Sequence, residues 1–204
     1  MSFRRSFRGA VPVALAALTL PLLAHAADEA KTPKMDMASM MPKPGAEHAR
    51  LAKMVGHWTA HGTMTMQGMD KPMDWTGSED VMAINNGMGI MFVDRGSNAM
   101  PMEGHGMETW DPVKKKYVGA WMDNMGTGVY TWEGTVSDDG KTSTDVMTGN
   151  GMTGQVESTT MVNEMQDENH RTMKFYQGTD TSVAPQMTIT YARTSKGGMK
   201  NSGK

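Results

Sequence analysis

The sequence predicts an all-β fold: an antiparallel up-and-down barrel of about ten strands, preceded by one short helix. Short runs of alternating apolar and polar residues follow one another along the chain, which is typical of strands with one buried face. Tight-turn residues separate these runs, for example Asn85-Asn86-Gly87, Asp138-Asp139-Gly140 and Asn150-Gly151. No long helical pattern follows Gly56 to cover a sheet, so we expect the sheet to close on itself.

The N-terminal residues 1–26 are typical of an export signal. Arg4, Arg5 and Arg8 precede an apolar stretch, residues 10–24, and Ala24-His25-Ala26 fits a cleavage site. A membrane helix needs about 20 apolar residues, and this stretch is shorter. We therefore expect cleavage after Ala26, a periplasmic or secreted protein, and no membrane span in the mature chain. The Arg pair leaves both the general and the twin-arginine export routes open.

Residues 27–45 predict a disordered linker, because they are rich in Lys, Pro, Asp, Ala and Met and show no hydrophobic period. Apolar residues at helical spacing in Glu47 to Val55 predict the short helix, and Gly56 ends it. The folded domain is expected at residues 46–193. Residues 194–204 consist largely of Lys, Gly and Ser and predict a flexible tail.

The predicted strands alternate apolar and polar side chains over seven to twelve residues each. They run from Trp58 to Met66, Met73 to Ile84, Gly89 to Ser97, Glu103 to Asp111, Lys116 to Asp123, Gly128 to Val136, Thr142 to Thr148, Gly154 to Val162, His170 to Gly178 and Gln186 to Arg193.

Composition excludes several classes of function. The chain has no Cys, which excludes disulfides, thiolate metal sites and a thiol nucleophile. Its 20 Lys and Arg against 22 Asp and Glu give no basic excess for binding nucleic acid. No serine-hydrolase, phosphate-loop or zinc-protease motif occurs, so we expect a protein that is not an enzyme and has no catalytic residues.

Methionine is unusually frequent, with 25 residues in 204. Leu, Ile and Phe are scarce in the mature chain, so Met64, Met66, Met82, Met173 and Met187 are expected to fill the core in their place. The linker has no core to fill. Its four Met residues are candidate copper ligands, because thioethers select Cu(I), and an oxidant sink is a further alternative. These residues are Met35, Met37, Met40 and Met41.

Two further sets of residues are candidates for binding. His105 stands between two glycines, which leave room for a metal ion or haem to approach. Five aromatic residues cluster in two adjacent hairpins and could line a pocket for an apolar molecule, although core packing also explains them. They are Trp110, Tyr117, Trp121, Tyr130 and Trp132.

Several motifs resemble known families. Gly56-His57-Trp58, which opens the first strand, resembles the G-x-W start of calycin barrels such as lipocalins, and this resemblance implies that Arg193 packs across Trp58 and closes the barrel. The segments Met102 to Gly106, Trp110 to Asp123 and Thr190 to Arg193 resemble the bacterial domain-of-unknown-function family 1579. That resemblance implies a lipocalin-like barrel, often exported, with no established activity. The chain departs from the family pattern by carrying Met where members usually carry Leu, Ile or Val.

Two hypotheses follow from the sequence. The first is an exported barrel that binds a small hydrophobic or amphipathic molecule. The alternative is a Met-rich protein that binds or buffers copper in the periplasm. The sequence leaves the oligomeric state open.

Overall fold

A computed structural model describes residues 36–65, 70–97, 100–151 and 154–197. Ten antiparallel strands form a closed barrel in which neighbours in the chain pair with each other and the last strand pairs with the first. The predicted all-β barrel is therefore confirmed. The strands are β1 Gly56–Met64, β2 Met73–Ile84, β3 Gly89–Ser97, β4 Glu103–Asp111, β5 Lys116–Asp123, β6 Tyr130–Val136, β7 Thr142–Asn150, β8 Val156–Met165, β9 His170–Gln177 and β10 Met187–Ser195.

Short helical elements accompany the strands. Helix α1, Met37–Met40, is a single turn and lies within residues 27–45, the segment whose composition predicts disorder. The Asp36 carboxylate caps this turn by accepting a hydrogen bond from the Ala38 N–H at 3.1 Å. Helix α2, Ala46–Ala52, is the helix that the sequence predicts, and a 3₁₀ turn covers Asn85–Gly87. None of the described helices is long and apolar enough to cross a membrane.

Helix α2 packs against one end of the barrel. Leu51 is buried in the core, and the Trp58 indole N–H donates a hydrogen bond of 2.9 Å to the Met54 carbonyl just after the helix. The Tyr117 hydroxyl donates to the Glu47 carbonyl at 3.1 Å. These contacts tie the helix to β1 and β5 at this end of the barrel, which we call the α2 end.

Arg193 joins the first and last strands to the segment after α2. Its guanidinium carbon lies 4.0 Å from the centre of the Trp58 ring. The same group donates hydrogen bonds to the carbonyls of Lys53, Val55 and Glu168. A planar guanidinium can stack on a ring and donate in its own plane at the same time, and this residue does both.

The strand methionines only partly follow the core prediction. Met64, Met173 and Met187 pack against the core. The prediction is wrong for Met82, which is 39% exposed, because the two-residue period counted from the buried Trp75 turns position 82 outward. Met66 lies outside the described residues.

Candidate functional site in the barrel interior

Strand register identifies the side chains that face the interior. Met64 lies opposite Met187, and Met187 lies opposite Phe175. Side chains that are directly opposite in an antiparallel pair share a face, so these three point inward together. All three are half-buried, whereas Trp58 and Ile189 on the same face are almost fully buried. Solvent therefore reaches the interior from the end away from α2, which we call the open end.

Aromatic side chains of the inner face lie against glycines. A Cβ atom added at each of five glycines would overlap a ring from a neighbouring strand, so the ring covers the glycine. We call the space that the strands enclose the lumen, and each of these rings lies against a glycine on its wall. The pairs are Gly62 with Trp75, Gly104 with Trp121, Gly106 with Phe92, Gly119 with Trp132 and Gly149 with Tyr130.

The five aromatic residues selected from the sequence face inward but do not form one cluster. Trp110 and Tyr117 meet edge to face, with ring centres 5.1 Å apart, at the α2 end. Trp121 stacks on Phe92 at 5.9 Å, and Trp132 lies 6.1 Å from the same ring. The Tyr130 hydroxyl donates to the Asn150 carbonyl at 2.7 Å, near the open end. The sequence did not indicate Phe92, which joins Trp121 to Trp132.

An ionic cluster lies on the inner face beside Trp58. The side chain of Arg171 is fully buried, and its Nη2 donates to Glu79 Oε2. Asp94 lies directly opposite Glu79 in the β2–β3 register. Burial raises the pKa of Asp94 well above its ordinary value, and the neighbouring Glu79 charge raises it further. The Arg171 guanidinium also lies 3.7 Å from the centre of the Tyr191 ring.

A second pair of inward carboxyl groups lies nearer to α2. Burial raises the pKa of Glu108 to about 7, with the Asp145 charge adding to the effect, while Arg50 and Trp132 oppose it. Burial likewise raises the pKa of Asp145 to about 6, against Ser143 and Arg50. The Arg50 Nη1 atom of α2 lies 3.5 Å from Glu108 Oε1. The interior thus contains two acidic pairs, each beside one arginine.

The outside of the barrel carries a groove, which we call the outer groove. It has a volume of about 670 Å³, and its lining includes the outward residues Met107, Val118, Ala120 and Val146 together with Glu108 and Trp132 of the inner face. Met107 is 54% exposed and Val146 is 37% exposed. The groove is open to solvent along the sheet, and the ionic cluster at Arg171 is not part of its lining.

Comparison with known proteins gives the family. The family model described as "Protein of unknown function (DUF1579)" matches residues 43–193. The chain belongs to the DUF1579 family. The match confirms the resemblance seen in the sequence motifs, and it spans all ten strands apart from the last two residues of β10.

A solved structure shows the same fold as this DUF1579 member. The crystal structure of Rv2717c from M. tuberculosis superposes with a TM-score of 0.52 at 10% identity, over 73% of this chain and 98% of that chain. At this identity the likeness shows the fold alone. No curated protein matches the DUF1579 chain.

The predicted metal ligands of this DUF1579 member lie on exposed surfaces. Met37, Met40 and Met41 are 68%, 64% and 61% exposed, and Met35 lies outside the described residues. His105 faces outward and lies 3.1 Å from Glu103 through its Nε2 atom. Within the described ranges, no three His, Asp or Glu side chains are grouped closely enough to hold a metal ion. The copper and haem assignments stay predictions.

Sequence reasoning missed most of the inward charged residues of this DUF1579 barrel. The candidate residues that the sequence indicates do not include Glu79, Asp94, Glu108, Asp145 or Arg171. A period-two count from the aromatic residues could have found four of them, because Glu79 lies four residues from Trp75, Asp94 two from Phe92, Glu108 two from Trp110 and Arg171 four from Phe175. Asp145 has no aromatic residue on its own strand β7.

Proposed function

We propose that this DUF1579 barrel is an exported, non-enzymatic protein that binds a small hydrophobic or amphipathic molecule in its lumen. One observation carries the proposal: the inward side chains of Met64, Phe175 and Met187 at the open end are half-buried, whereas Trp58 and Ile189 on the same face are almost fully buried. Apolar side chains that face an enclosed space and still meet solvent favour an apolar occupant.

The arrangement of the rings supports the same proposal. Because five aromatic side chains lie along glycines, they present flat apolar surfaces to the lumen. Flat ring faces contribute much apolar area at a small cost in conformational entropy. The buried ionic cluster beside them supplies polar groups farther from the open end of the lumen. This arrangement suits a molecule with one polar and one apolar end.

The outer groove is the competing site, and a pair of matched variants separates the two. The neutral fluorophore N-phenyl-1-naphthylamine serves as the probe, because its emission rises in apolar surroundings. Met187 lies in the lumen and Met107 in the outer groove. We expect Met187→Glu to weaken binding of the probe about tenfold or more, since a carboxylate on the wall is costly beside an apolar ligand, and Met107→Glu to leave it unchanged.

The reverse pattern would assign the probe to the outer groove and contradict the proposal. Circular dichroism of each variant checks that the barrel is folded. Met187→Gln provides a neutral second variant, which should weaken binding less than Met187→Glu. Absence of probe binding to the unmodified protein would also overturn the proposal.

Export is part of the proposal and rests on residues 1–26. We expect the chain expressed in a Gram-negative host to be recovered from the periplasmic fraction with Ala27 as its first residue. Replacing Arg4 and Arg5 by Lys separates the routes, because the twin-arginine route requires the pair and the general route does not. Recovery of uncleaved protein from the cytoplasm would contradict this part of the proposal.

Copper binding is a second candidate function, favoured by the exposure of three Met side chains in residues 27–45. Changing Met35, Met37, Met40 and Met41 to Leu should abolish Cu(I) binding measured by competition with bicinchoninate. The matched control changes three other exposed methionines, Met107, Met122 and Met125, to Leu. Equal loss in both variants, or no binding in any form, would remove this candidate.

A further inference from the structure

The Arg171 guanidinium is fixed on three sides. Its side chain is 0% exposed, and its Nη2 atom donates to Glu79. Its carbon lies 3.7 Å from the centre of the Tyr191 ring and 5.1 Å from that of Trp58. Both ring faces attract the cation, so the position of the guanidinium is set before any ligand arrives.

Two nitrogen atoms of this guanidinium lack a partner. Nε and Nη1 are buried and have no hydrogen-bond acceptor in the part of the chain that the structure describes. In the unfolded chain water would bond these groups, and a buried charged donor without an acceptor is unfavourable. An oxygen atom from water or from a ligand would satisfy them, and it reaches them when a neighbouring inward side chain moves aside, because neither nitrogen has accessible surface in this structure.

The surrounding charges select the kind of oxygen. Glu79 already balances the charge of Arg171, and a second carboxyl group, that of Asp94, lies directly opposite Glu79. An anionic head group would add an unbalanced negative charge beside Glu79 inside the barrel, where the cost of burying charge is high. A carbonyl or hydroxyl oxygen accepts the same hydrogen bonds and adds no charge.

The strand that carries Arg171 also supplies an apolar path from it. On β9, Met173 and Phe175 follow Arg171 on the inner face, and Phe175 lies opposite Met187 toward the open end. We propose, building on the function proposed above, that Arg171 is the head-group site of the lumen. Its ligand is a neutral amphiphile whose carbonyl or hydroxyl oxygen accepts from Nε and Nη1, while the apolar chain lies along Met173 and Phe175.

The test uses the full chain loaded with N-phenyl-1-naphthylamine and three competitors that share one chain length: octan-2-one, octanoate and octylammonium. The probe has no oxygen, so its own binding reports the lumen without the head-group site. We expect octan-2-one to displace the probe at a concentration about tenfold lower than either charged competitor needs.

The matched variants are Arg171→Lys and Arg95→Lys. Lysine keeps the charge opposite Glu79 but removes the planar donors, so Arg171→Lys should erase the advantage of the ketone, and circular dichroism checks that the variant is folded. Arg95 is an exposed arginine that pairs with Asp80 at 3.0 Å and Glu103 at 3.3 Å, and its replacement should change nothing.

Three other outcomes of the competition experiment are possible, and each one contradicts a different statement. Tighter binding of octanoate or octylammonium would reject the neutral ligand class and leave the proposed function intact. An unchanged ketone advantage in Arg171→Lys would show that water satisfies the guanidinium. If the unmodified protein does not bind the probe, the proposed function itself fails.

Discussion

At the scale of single residues, Arg193 shows how one side chain replaces several separate contacts. It covers Trp58 and donates to three carbonyls, two of which belong to the segment just after α2. We expect Arg193→Lys to lower the free energy of unfolding by about 2 kcal/mol, because an ammonium group cannot stack and reach all three carbonyls at once. Urea denaturation measures this loss. Arg95→Lys on the exposed face is the control, and an equal loss in both variants would contradict the special role of Arg193.

Sequence reasoning located the outer turns and the core aromatics more successfully than the inward charges. Trp58 and Trp75 stand out by residue type and alternation alone. Alternation also turns Glu79 and Asp94 inward, but their residue type argues against burial, since a carboxylate in a strand usually faces water, and only pairing with Arg171 across the barrel makes burial tolerable. That pairing joins residues 92 positions apart, which no local pattern encodes.

At the scale of strand elements, the glycine–aromatic pairs determine how closely neighbouring strands and rings approach. A Cβ at Gly119 would overlap the Trp132 ring and crowd the Met107 carbonyl. We expect Gly119→Ala to destabilise the barrel by roughly 2 kcal/mol or more, because a backbone neighbour cannot move aside as a flexible side chain can. It should also shift the tryptophan emission and the near-ultraviolet circular dichroism.

Gly126→Ala is the matched control for this element. Its Cβ would meet Asp123 and Tyr130 only at 3.5–3.7 Å, which is ordinary van der Waals contact. Thermal unfolding of the two variants should therefore differ clearly. If Gly119→Ala is as stable as Gly126→Ala, the interpretation that the rings pack on these glycines because they lack a Cβ atom is wrong.

The sequence predicts the ends of a strand correctly where residues with a strong turn preference adjoin it. Asn85 and Asn86 adopt positive φ of 50° and 56°, and Gly140 adopts 73°, at turns that the sequence indicates. The strands β2 to β5, which flank the clearest turns, begin and end where the alternation predicts. Differences of one to three residues occur at several other strand ends, because polar residues such as Ser195 continue the ladder without any hydrophobic signal.

At the scale of the whole molecule, inward carboxyls make stability depend on pH. The folded pKa of Glu108 is about 7 and that of Asp145 about 6, both above their ordinary values of 4.5 and 3.8. At pH values between the ordinary pKa and the raised pKa of each group, the folded state binds more protons than the unfolded state. The free energy of unfolding therefore falls as pH rises from about 4.5 to 7.5, by about 5 kcal/mol.

Glu108→Gln tests this dependence, because the amide is neutral throughout and removes one of the two titrating groups. Urea denaturation at a series of pH values should give a flatter profile for the variant than for the unmodified protein. Glu103→Gln, on an exposed carboxylate 52% accessible to solvent, is the control and should leave the profile unchanged. A profile that rises between pH 5 and 7 in the unmodified protein would contradict the burial of these groups.

The pairing of β1 with β10 has a consequence for the order of events during biosynthesis. Thr190 bonds to the carbonyl of His61, 129 positions earlier, so the ring of strands closes only when the last nine-residue strand is available. Until then β1 and β9 each present an unpaired edge that can join another chain. Completion of β10 is therefore the step that converts a sheet prone to aggregation into a structure without edges, and folding is expected to be late and slow compared with that of helical domains of similar size.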